Sequence, residues 1–475
     1  MAPSHPVEFD AALLARYDVT GPRYTSYPTA PFFREDFGER EYRARALATN
    51  EDPIPRPLSL YVHLPFCESP CFYCGCTRFI TRDHGNAARY LDRLEREVTL
   101  QGALFDPDRS VVQLHLGGGT PNFLSLAELE RLLRALRTTF RLDSGEARDF
   151  SIELDPRHVA PGDLAALAGL GFNRVSLGVQ DFDEAVQQAI NRIQPRAQTE
   201  DAVAAAREAG MRSVNLDLIY GLPRQRPDTF AKTLEGVLAI RPERIALYAY
   251  AHLPERFKAQ RQIAAADLPE PAVKLELLGS AIRALTGAGY CYIGMDHFAL
   301  PADPLARALE AGTLQRNFQG YTTHGQCDLV GFGASAIGHV DDCYAQNARD
   351  LADYYGALEA GRLPVVRGLV LDEDDRIRAE IIQSVMCRNA LDYGAIEVRF
   401  GIRFEERFAR ELASLRPLAD DGLIVTGERG FTVTPRGRLL LRVVAMAFDA
   451  SAQHAGEAPA WAGRKPARPH FSRVI

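Results

Sequence analysis

The chain has 475 residues, of which 46% are hydrophobic and 25% charged, and it carries a net charge of −7 with a pI near 5.9. This composition is ordinary for a globular protein, and the length suggests about three domains. The acidic balance argues against nucleic acid as the main partner, because phosphate binding needs a basic surface. We see neither an export signal nor a run of about 18 apolar residues, so we expect a cytoplasmic protein without a membrane partner.

Residues 1–54 are predicted to form an N-terminal arm, and residues 1–50 are expected to be irregular. The segment PRYTSYPT at 22–29 is interrupted by prolines, which break regular elements. Arg23–Ala30 contains an arginine and two tyrosines, an odd composition for a disordered leader. We expect this arm to fold as a lid over the open end of the next domain. Packing on outer helices for stability alone is the alternative.

Residues 55–260 alternate between short apolar runs and helical patterns, which predicts βα units around a parallel sheet. The predicted strands are Leu58–His63, Val111–Leu116, Phe150–Leu154, Arg174–Val179, Ser213–Tyr220 and Arg244–Tyr250. The predicted helices are Asn86–Leu104, Leu126–Phe140, Pro161–Ala168, Asp183–Asn191, Thr199–Ala209 and Asp228–Ala239. Six units fall short of the eight in a closed barrel, so we predict an α/β fold with an open partial (β/α)6 barrel. An open doubly wound sheet is the alternative.

A cysteine loop follows the first predicted strand. Cys67, Cys71 and Cys74 form a C-x3-C-x2-C pattern, which can turn three thiolates toward an iron–sulfur cluster. Three ligands for four irons would leave one iron open to a small molecule. The alternative is a zinc site completed by Cys76 or His63. Cys76 could also be a fourth cluster ligand, and the pattern by itself does not decide its role. The other four cysteines are scattered and are expected to be small buried hydrophobes.

Polar or glycine-rich segments also stand at the carboxyl ends of the five predicted strands after the first, and this is the end at which parallel sheets bind ligands. GGGTP at 117–121 follows the second strand, and its exposed backbone groups would suit the amino-acid part of a ligand. The remaining strands end in or near Glu153 and Asp155, Gln180, Asp217, and Ala251. Asp155 could instead cap a helix beginning at Pro156, and Arg192 could be an ordinary surface arginine. Asp217 stands inside an apolar strand, where a charge needs a partner.

The rest of the chain is predicted in three parts. Residues 261–365 should extend the barrel and complete the active site, with a helix at Pro271–Gly287. Residues 366–449 should form a mainly helical, winged-helix-like domain, with a hairpin at 423–434 and a helix from Pro435. Residues 450–475, rich in Ala, Pro and Gly until near the end, are predicted to be a flexible tail.

Many short segments together resemble one family, the oxygen-independent coproporphyrinogen III oxidases (coproporphyrinogen dehydrogenases) of the radical S-adenosylmethionine (SAM) superfamily, which act in haem biosynthesis. The aromatic Tyr73 before the third cysteine is typical of that superfamily's signature. The segments are RYTSYPTA (23–30), YVHLPFC (61–67), CGC (74–76), GGGTP (117–121), ELDP (153–156), GVQDF (178–182), NLDLIYGLP (215–223), YAHLP (250–254), GMDHF (294–298), RNFQGY (316–321) and FSRVI (471–475).

The resemblance implies one 4Fe-4S cluster on Cys67, Cys71 and Cys74, with Cys76 nearby but not a ligand, and two bound SAM molecules. The resemblance places Tyr61 with the cysteines among the catalytic residues. Tyr61 also matches the family's site for the SAM that binds the cluster. The other positions matching the family's site for the SAM on the cluster are Gly118, Glu153 and Ile337. Those matching its site for the second SAM are Tyr73, Gly119, Thr120, Gln180, Arg192, Asp217 and Ala251.

The reaction implied is the oxidative decarboxylation of two propionates of coproporphyrinogen III to vinyl groups, giving protoporphyrinogen IX. A 5′-deoxyadenosyl radical from SAM would remove a hydrogen that no side-chain base can take at neutral pH. We predict a monomer with an electron donor and an electron acceptor that the sequence does not identify. The alternative function is that of a radical SAM-like haem chaperone. Cys76 and the absence of any His-Asn pair in the sequence favour the enzyme.

Overall fold

The computed structural model describes residues 5–453 and residue 473, and these residues form two compact units. The barrel unit comprises residues 33–274 and 326–370. The composite unit comprises the described residues up to 32, residues 275–325, and those from 371 onward. Most of the predicted tail, residues 454–472 with 474 and 475, lies outside the described residues. The five-part division in chain order stays a prediction.

The barrel unit contains all six predicted strands. They are Leu58–Leu64, Ser110–Gly118, Asp149–Leu154, Arg174–Gln180, Ser213–Tyr220 and Arg244–Ala249. They pair in parallel, and each neighbours the next in chain order. A doubly wound sheet reverses its strand order at a switch point, and the order of these six strands does not reverse. The open six-unit barrel is therefore confirmed and the doubly wound alternative is wrong.

The sheet continues on the other side of the first strand. Asp328–Phe332 pairs with that strand in parallel, and Ile337–Val340, Cys343–Asn347 and Val365–Val370 follow as antiparallel strands. Short strands at Phe66–Cys67, Phe79–Ile80 and Arg141–Leu142 complete the unit. Leu58, Leu60, Val62 and Leu64 lie on one face of the first strand, because alternate residues of a strand point the same way, and all four are 0% exposed. The opposite face carries Ser59, Tyr61 and His63.

The six predicted helices are also present. They are Gly85–Gly102, Leu126–Thr139, Asp163–Gly169, Glu184–Ala189, Arg196–Glu208 and Pro227–Ile240. Leu126–Thr139 illustrates why they form: Ser125 and Glu128 make a capping box, and four leucines at helical spacing are buried. Further helices are Glu39–Ala48 and Leu351–Glu359, and 3-10 turns lie at Pro121–Phe123, Pro156–His158, Lys258–Gln262 and Ala265–Asp267.

The prediction that residues 1–50 are irregular is wrong, because they contain the helices Ala11–Arg16 and Glu39–Ala48. The Asp10 carboxylate accepts the N–H of Leu13 (3.0 Å), and the Glu41 carboxylate accepts the N–H of Gly38 (3.1 Å). These caps stabilise helices too short to persist alone. The stretch around the two prolines forms no helix or strand before a 3-10 turn at Ala30–Phe32, as predicted.

The composite unit is mainly helical. Its helices are Pro304–Glu310, Glu373–Arg388, Tyr393–Phe400, Phe404–Arg407, Ala409–Ser414, Arg416–Asp420, Leu441–Met446 and Ala450–Gln453. Its strands are Cys291–Gly294, His297–Ala299, Gln315–Asn317, Gly320–Thr322, Ala390–Asp392, Ile424–Gly427 and Gly430–Val433. The helix Pro271–Gly287 has the predicted bounds.

The end of this unit differs from the prediction in one detail. The hairpin is present and joins Ala390–Asp392 in a three-stranded sheet, but no helix starts at Pro435. The chain first makes a turn in which the Thr434 hydroxyl accepts the N–H of Gly437 (3.2 Å), then a 3-10 turn at Arg438–Leu440. The α-helix begins only at Leu441.

The part of the N-terminal arm up to residue 32 packs within the composite unit, whereas residues 33–54 belong to the barrel unit. Tyr24 and Tyr27 are buried, and the Tyr24 hydroxyl donates to Asp449 (2.9 Å). Arg442 donates to the Pro22 carbonyl (2.9 Å), and Arg23 forms an ion pair with Asp296. The arm therefore contributes to this unit's core, and a lid role stays a prediction. Within the described residues, no helix is long and apolar enough to cross a membrane.

Candidate active site

The cysteine loop is a closed local structure directly after the first barrel strand. The short strands that contain Cys67 and Ile80 pair with each other, which brings the two ends of the loop together. Arg78 donates to the carbonyls of Cys71 (3.2 Å) and Cys74 (3.1 Å). The three predicted ligands line one cavity, together with Tyr73, Gly119, Thr120, Asn122, Asp155, Arg157 and Arg192. Cys76 is exposed and is not among the residues lining this cavity.

The donor set of this cavity fits an iron–sulfur cluster. The hydrogen bond with Cys76 and the positive charge of Arg78 lower the pKa of Cys74 to about 6, against burial, so the thiolate that a metal requires is accessible. Burial raises the pKa of Cys67 to about 11. Among the described residues, no three His, Cys, Asp or Glu side chains gather closely enough to hold a single metal ion. Each thiolate of a cluster binds its own iron, so three separate thiolates around one cavity fit a cluster.

Asp155 and two arginines form a buried group beside these cysteines. Asp155 accepts two bonds from the Arg192 guanidinium (3.0 and 3.1 Å) and further bonds from the side chain (2.7 to 3.2 Å) and backbone N–H (3.1 Å) of Arg157. The predicted capping role of Asp155 is confirmed, since the backbone bond begins the 3-10 turn at Pro156–His158. Although burial opposes it, the two guanidinium groups lower the pKa of Asp155 to about 2. Arg192, 6% exposed, is no surface arginine.

The glycine turn after the second strand packs against the chain that leads into Cys67. Gly118 has φ +120°, and a side chain there would meet the His63 ring at 2.7 Å. A side chain at Gly119 would meet the Phe66 carbonyl oxygen at 2.7 Å, so both positions require glycine. The expected edge of exposed backbone groups is wrong for its N–H groups. Those of Gly118, Gly119 and Thr120 donate to Glu153 (3.2 Å), Leu64 (2.9 Å) and Phe66 (2.8 Å). The close packing with the preceding strand consumes them. The Thr120 hydroxyl lies 3.4 Å from the Cys67 sulfur.

Glu153 belongs to a second polar group. Its carboxylate lies 3.0 Å from Nε2 of His115, and the His115 ring stacks on Tyr61 with centroids 5.8 Å apart. Burial would raise the pKa of Glu153, but the hydrogen bond and charge of His115 outweigh it and lower that pKa. The Tyr61 hydroxyl lies 3.0 Å from His63, whose other ring nitrogen is 2.9 Å from the Thr77 carbonyl.

Ile337 lies on the strand Ile337–Val340, which neighbours the strand Asp328–Phe332 beside the first barrel strand. Tyr61 pairs with Gly331 in the neighbouring strand, and a side chain on Gly331 would meet the Ile337 backbone at 2.9 Å. Glycine at 331 therefore allows the Ile337 backbone to pack closely on the strand Asp328–Phe332, which pairs with the strand that contains Tyr61.

Asp217 has the polar partners that its position demanded. The Ser176 hydroxyl donates to Oδ2 (3.0 Å) and the Asn215 amide donates to Oδ1 (2.9 Å). Burial, and then the negative charge of Glu153, raise the pKa of Asp217 to about 6. Asp217 is therefore a partly buried carboxylate held by two neutral donors, which leaves it suited to a cationic or hydroxyl-bearing ligand.

The remaining predicted residues are joined by contacts that the sequence did not suggest. A side chain at Gly178 would meet Gln180 at 2.9 Å and Arg192 at 3.1 Å, so these two lie together. The amide of Gln260 donates to the carbonyls of Tyr73 (3.0 Å) and Ala251 (3.2 Å) and is 2% exposed. It thereby links the cysteine loop to the end of the sixth strand.

Sequence reasoning missed several polar residues of the site: Arg78, His115, Arg157, Ser176, Asn215 and Gln260. Asn215 could have been found, because it is a polar residue that faces the same side of an apolar strand as Asp217. No sequence pattern marks Gln260 or Arg157. Gln260 contacts Tyr73 and Arg157 contacts Cys71, and both partners are distant in sequence.

Comparisons with known proteins agree with this architecture. Two family descriptions match the chain: the radical SAM superfamily over residues 61–237, and the HemN C-terminal domain over residues 371–440. An oxygen-independent coproporphyrinogen III oxidase of Pseudomonas aeruginosa is 51% identical over 443 residues, 93% of this chain and 96% of that protein. The protein of that name from Escherichia coli is 46% identical over 469 residues, 99% of each chain.

A solved structure gives the same picture in three dimensions. It is described as coproporphyrinogen III oxidase (HemN) from Escherichia coli, a radical SAM enzyme. Its TM-score is 0.89 at 46% identity, over 94% of this chain and 99% of that one. The likeness therefore extends beyond the barrel to nearly the whole length of both chains.

Proposed function

This chain belongs to the oxygen-independent coproporphyrinogen III oxidases, a family of radical SAM enzymes, and we propose that it carries out their reaction on a 4Fe-4S cluster with two SAM molecules. The reaction is the oxidative decarboxylation of two propionates of coproporphyrinogen III to vinyl groups, without oxygen, giving protoporphyrinogen IX. The observation that carries the proposal is the single cavity lined by Cys67, Cys71 and Cys74. When bound, the cluster and SAM supply a radical able to take hydrogen from an unactivated carbon.

The three cysteines would hold the cluster, and Cys76 would not. The Cys76 backbone N–H donates to the Cys74 sulfur (3.4 Å), an interaction that favours Cys74 as the thiolate. Cys76 also does not line the cavity that the other three cysteines share, which supports its exclusion from the ligand set.

The first SAM would be held by Tyr61, Gly118, Glu153 and Ile337. Glu153 is kept ionised by His115, and its side chain is 43% exposed, so its carboxylate can accept from ribose hydroxyls or an ammonium group. The stacked rings of His115 and Tyr61 orient that carboxylate and the tyrosine together.

The second SAM would be held by Tyr73, Gly119, Thr120, Gln180, Arg192, Asp217 and Ala251. The Arg192 side chain lines the cysteine cavity, where its guanidinium can meet an anionic group of the ligand. Asp217 would accept from the ligand's cationic or hydroxyl groups. The proposed partners are the tetrapyrrole, an electron donor and an electron acceptor, with no nucleic acid. We also propose a cytoplasmic monomer.

The test is an anaerobic assay of the reconstituted chain with SAM, a reductant and coproporphyrinogen III. The expected products are 5′-deoxyadenosine, methionine and a tetrapyrrole of the mass of protoporphyrinogen. Cys71→Ser, which removes one ligand, should give none of them. A cluster-bearing chain that cleaves SAM and binds haem but leaves the substrate unchanged would favour the chaperone alternative.

A further inference from the structure

Arg157 belongs to neither of the two proposed SAM sites and is not a proposed cluster ligand, yet its guanidinium reaches a cluster cysteine. Its NH2 group lies 4.0 Å from the Cys71 sulfur, and NH1 of Arg192 lies 3.7 Å from the same atom. Asp155 joins the two arginines, accepting from both. Two positive charges and one negative charge therefore form a compact group, here called the Cys71 triad, against one sulfur.

The triad is built rather than accidental. The side chains of Arg157, Arg192 and Asp155 are 16%, 7% and 6% exposed. Buried charges are retained where they are paired, and Asp155 pairs both arginines at once through its two oxygens. Removing water from this group strengthens its field at Cys71 compared with that of a surface ion pair.

We propose that Arg157 is a positioning residue that, with Arg192 and Asp155, sets the reduction potential of the cluster through Cys71. The inference rests on the proposed function, since it requires the cluster on Cys71. Net charge and hydrogen bonds to the sulfurs set the potential of such clusters. Reduction adds an electron near the triad, so a positive charge there favours the reduced state and a negative charge opposes it. Arg157 raises the potential, and Asp155 lowers it.

Opposite signs make the proposal testable. Arg157→Gln should shift the midpoint potential to more negative values by at least the equivalent of tenfold in the equilibrium constant, about 59 mV for one electron. Asp155→Asn, which keeps a side chain able to cap the 3-10 turn, should shift it to more positive values. Arg157→Lys keeps the charge and should stay closer to the wild type than Arg157→Gln. The potentials are read by anaerobic redox titration with electron paramagnetic resonance, without SAM or substrate.

The matched control is Arg134→Gln, which removes an exposed arginine that pairs with Glu130 on a barrel-unit helix. If the role of the triad is purely structural, Arg157→Gln and Asp155→Asn should shift the midpoint potential in the same direction, and that outcome would overturn the proposal. Midpoint potentials of both variants equal to that of the control would overturn it as well. If Arg157→Gln binds no iron, the potential of Asp155→Asn tests the proposal alone: a shift to more positive values supports it, and a shift to more negative values overturns it. A wild-type chain without a cluster would instead refute the proposed function, which separates the two failures.

Discussion

Asp217→Asn is expected to make the protein more stable while impairing its reaction. The Asp217 carboxylate is partly buried, and its two hydrogen-bond donors, Ser176 and Asn215, are neutral. Burial and the charge of Glu153 raise its pKa from the usual 3.8 to about 6. At neutral pH the folded protein therefore holds a carboxylate whose ionised form is less stable there than in water. This destabilisation is typical of functional sites.

The size of this cost follows from the two pKa values. The difference between 3.8 and about 6, at about 1.4 kcal/mol for each pH unit, corresponds to about 3 kcal/mol at pH 7.5. Asparagine keeps the shape but leaves one of the two donors without an acceptor, which costs about 1 kcal/mol. Because the site is only partly buried, we expect a net gain of about 1–2 kcal/mol in the free energy of unfolding.

The pH dependence gives the sign of the effect. A carboxyl whose pKa is raised in the folded state destabilises the protein fully above about pH 6. The penalty shrinks as the pH falls through 6 toward 3.8, where both states become protonated. The advantage of Asp217→Asn should therefore be largest at pH 7.5 and clearly smaller at pH 5.

Urea unfolding of the apoprotein at these two pH values measures the effect. Asp201→Asn, a change at an exposed aspartate on the helix Arg196–Glu208, is the control and should leave stability unchanged at both. The reasoning would be refuted if Asp217→Asn were less stable than the wild type at pH 7.5, or if its advantage did not depend on pH.

Three further predictions concern the proposed cluster, the two proposed SAM sites and the arm. Cys76→Ser should keep the iron content and brown absorption of the wild type, and loss of iron equal to that of a ligand variant would make Cys76 a ligand. Asp217→Ala should retain some SAM cleavage while losing decarboxylation, whereas Glu153→Ala should lose cleavage itself; identical product profiles would contradict the assignment to two molecules. Deleting residues 1–30 should lower the midpoint of thermal unfolding, because the arm's Tyr24 is buried in the composite unit, and an unchanged midpoint by differential scanning calorimetry would show that the arm is dispensable for stability.

The sequence alone determined the elements of the barrel and the chemistry of its cysteine loop. Alternating apolar runs and helical patterns predicted all six strands and six helices, because burial on a sheet or a helix face imposes a local period. The spacing of Cys67, Cys71 and Cys74 is likewise local, so the cluster could be expected before any contact was known. Short caps were overlooked, which is why the helix Glu39–Ala48 was missed.

Only the tertiary structure decided how these elements meet. The order of the strands excluded a doubly wound sheet, and the composite unit is assembled from segments that are far apart in the chain. Asp155 meets Arg192 37 positions away, and His115 meets Glu153 38 positions away, because the strands that precede or carry them are neighbours in register. The pattern of residues along the chain reflects the period of a single helix or strand. Which charged side chains pair depends on how several strands align, and that alignment exists only in the folded sheet.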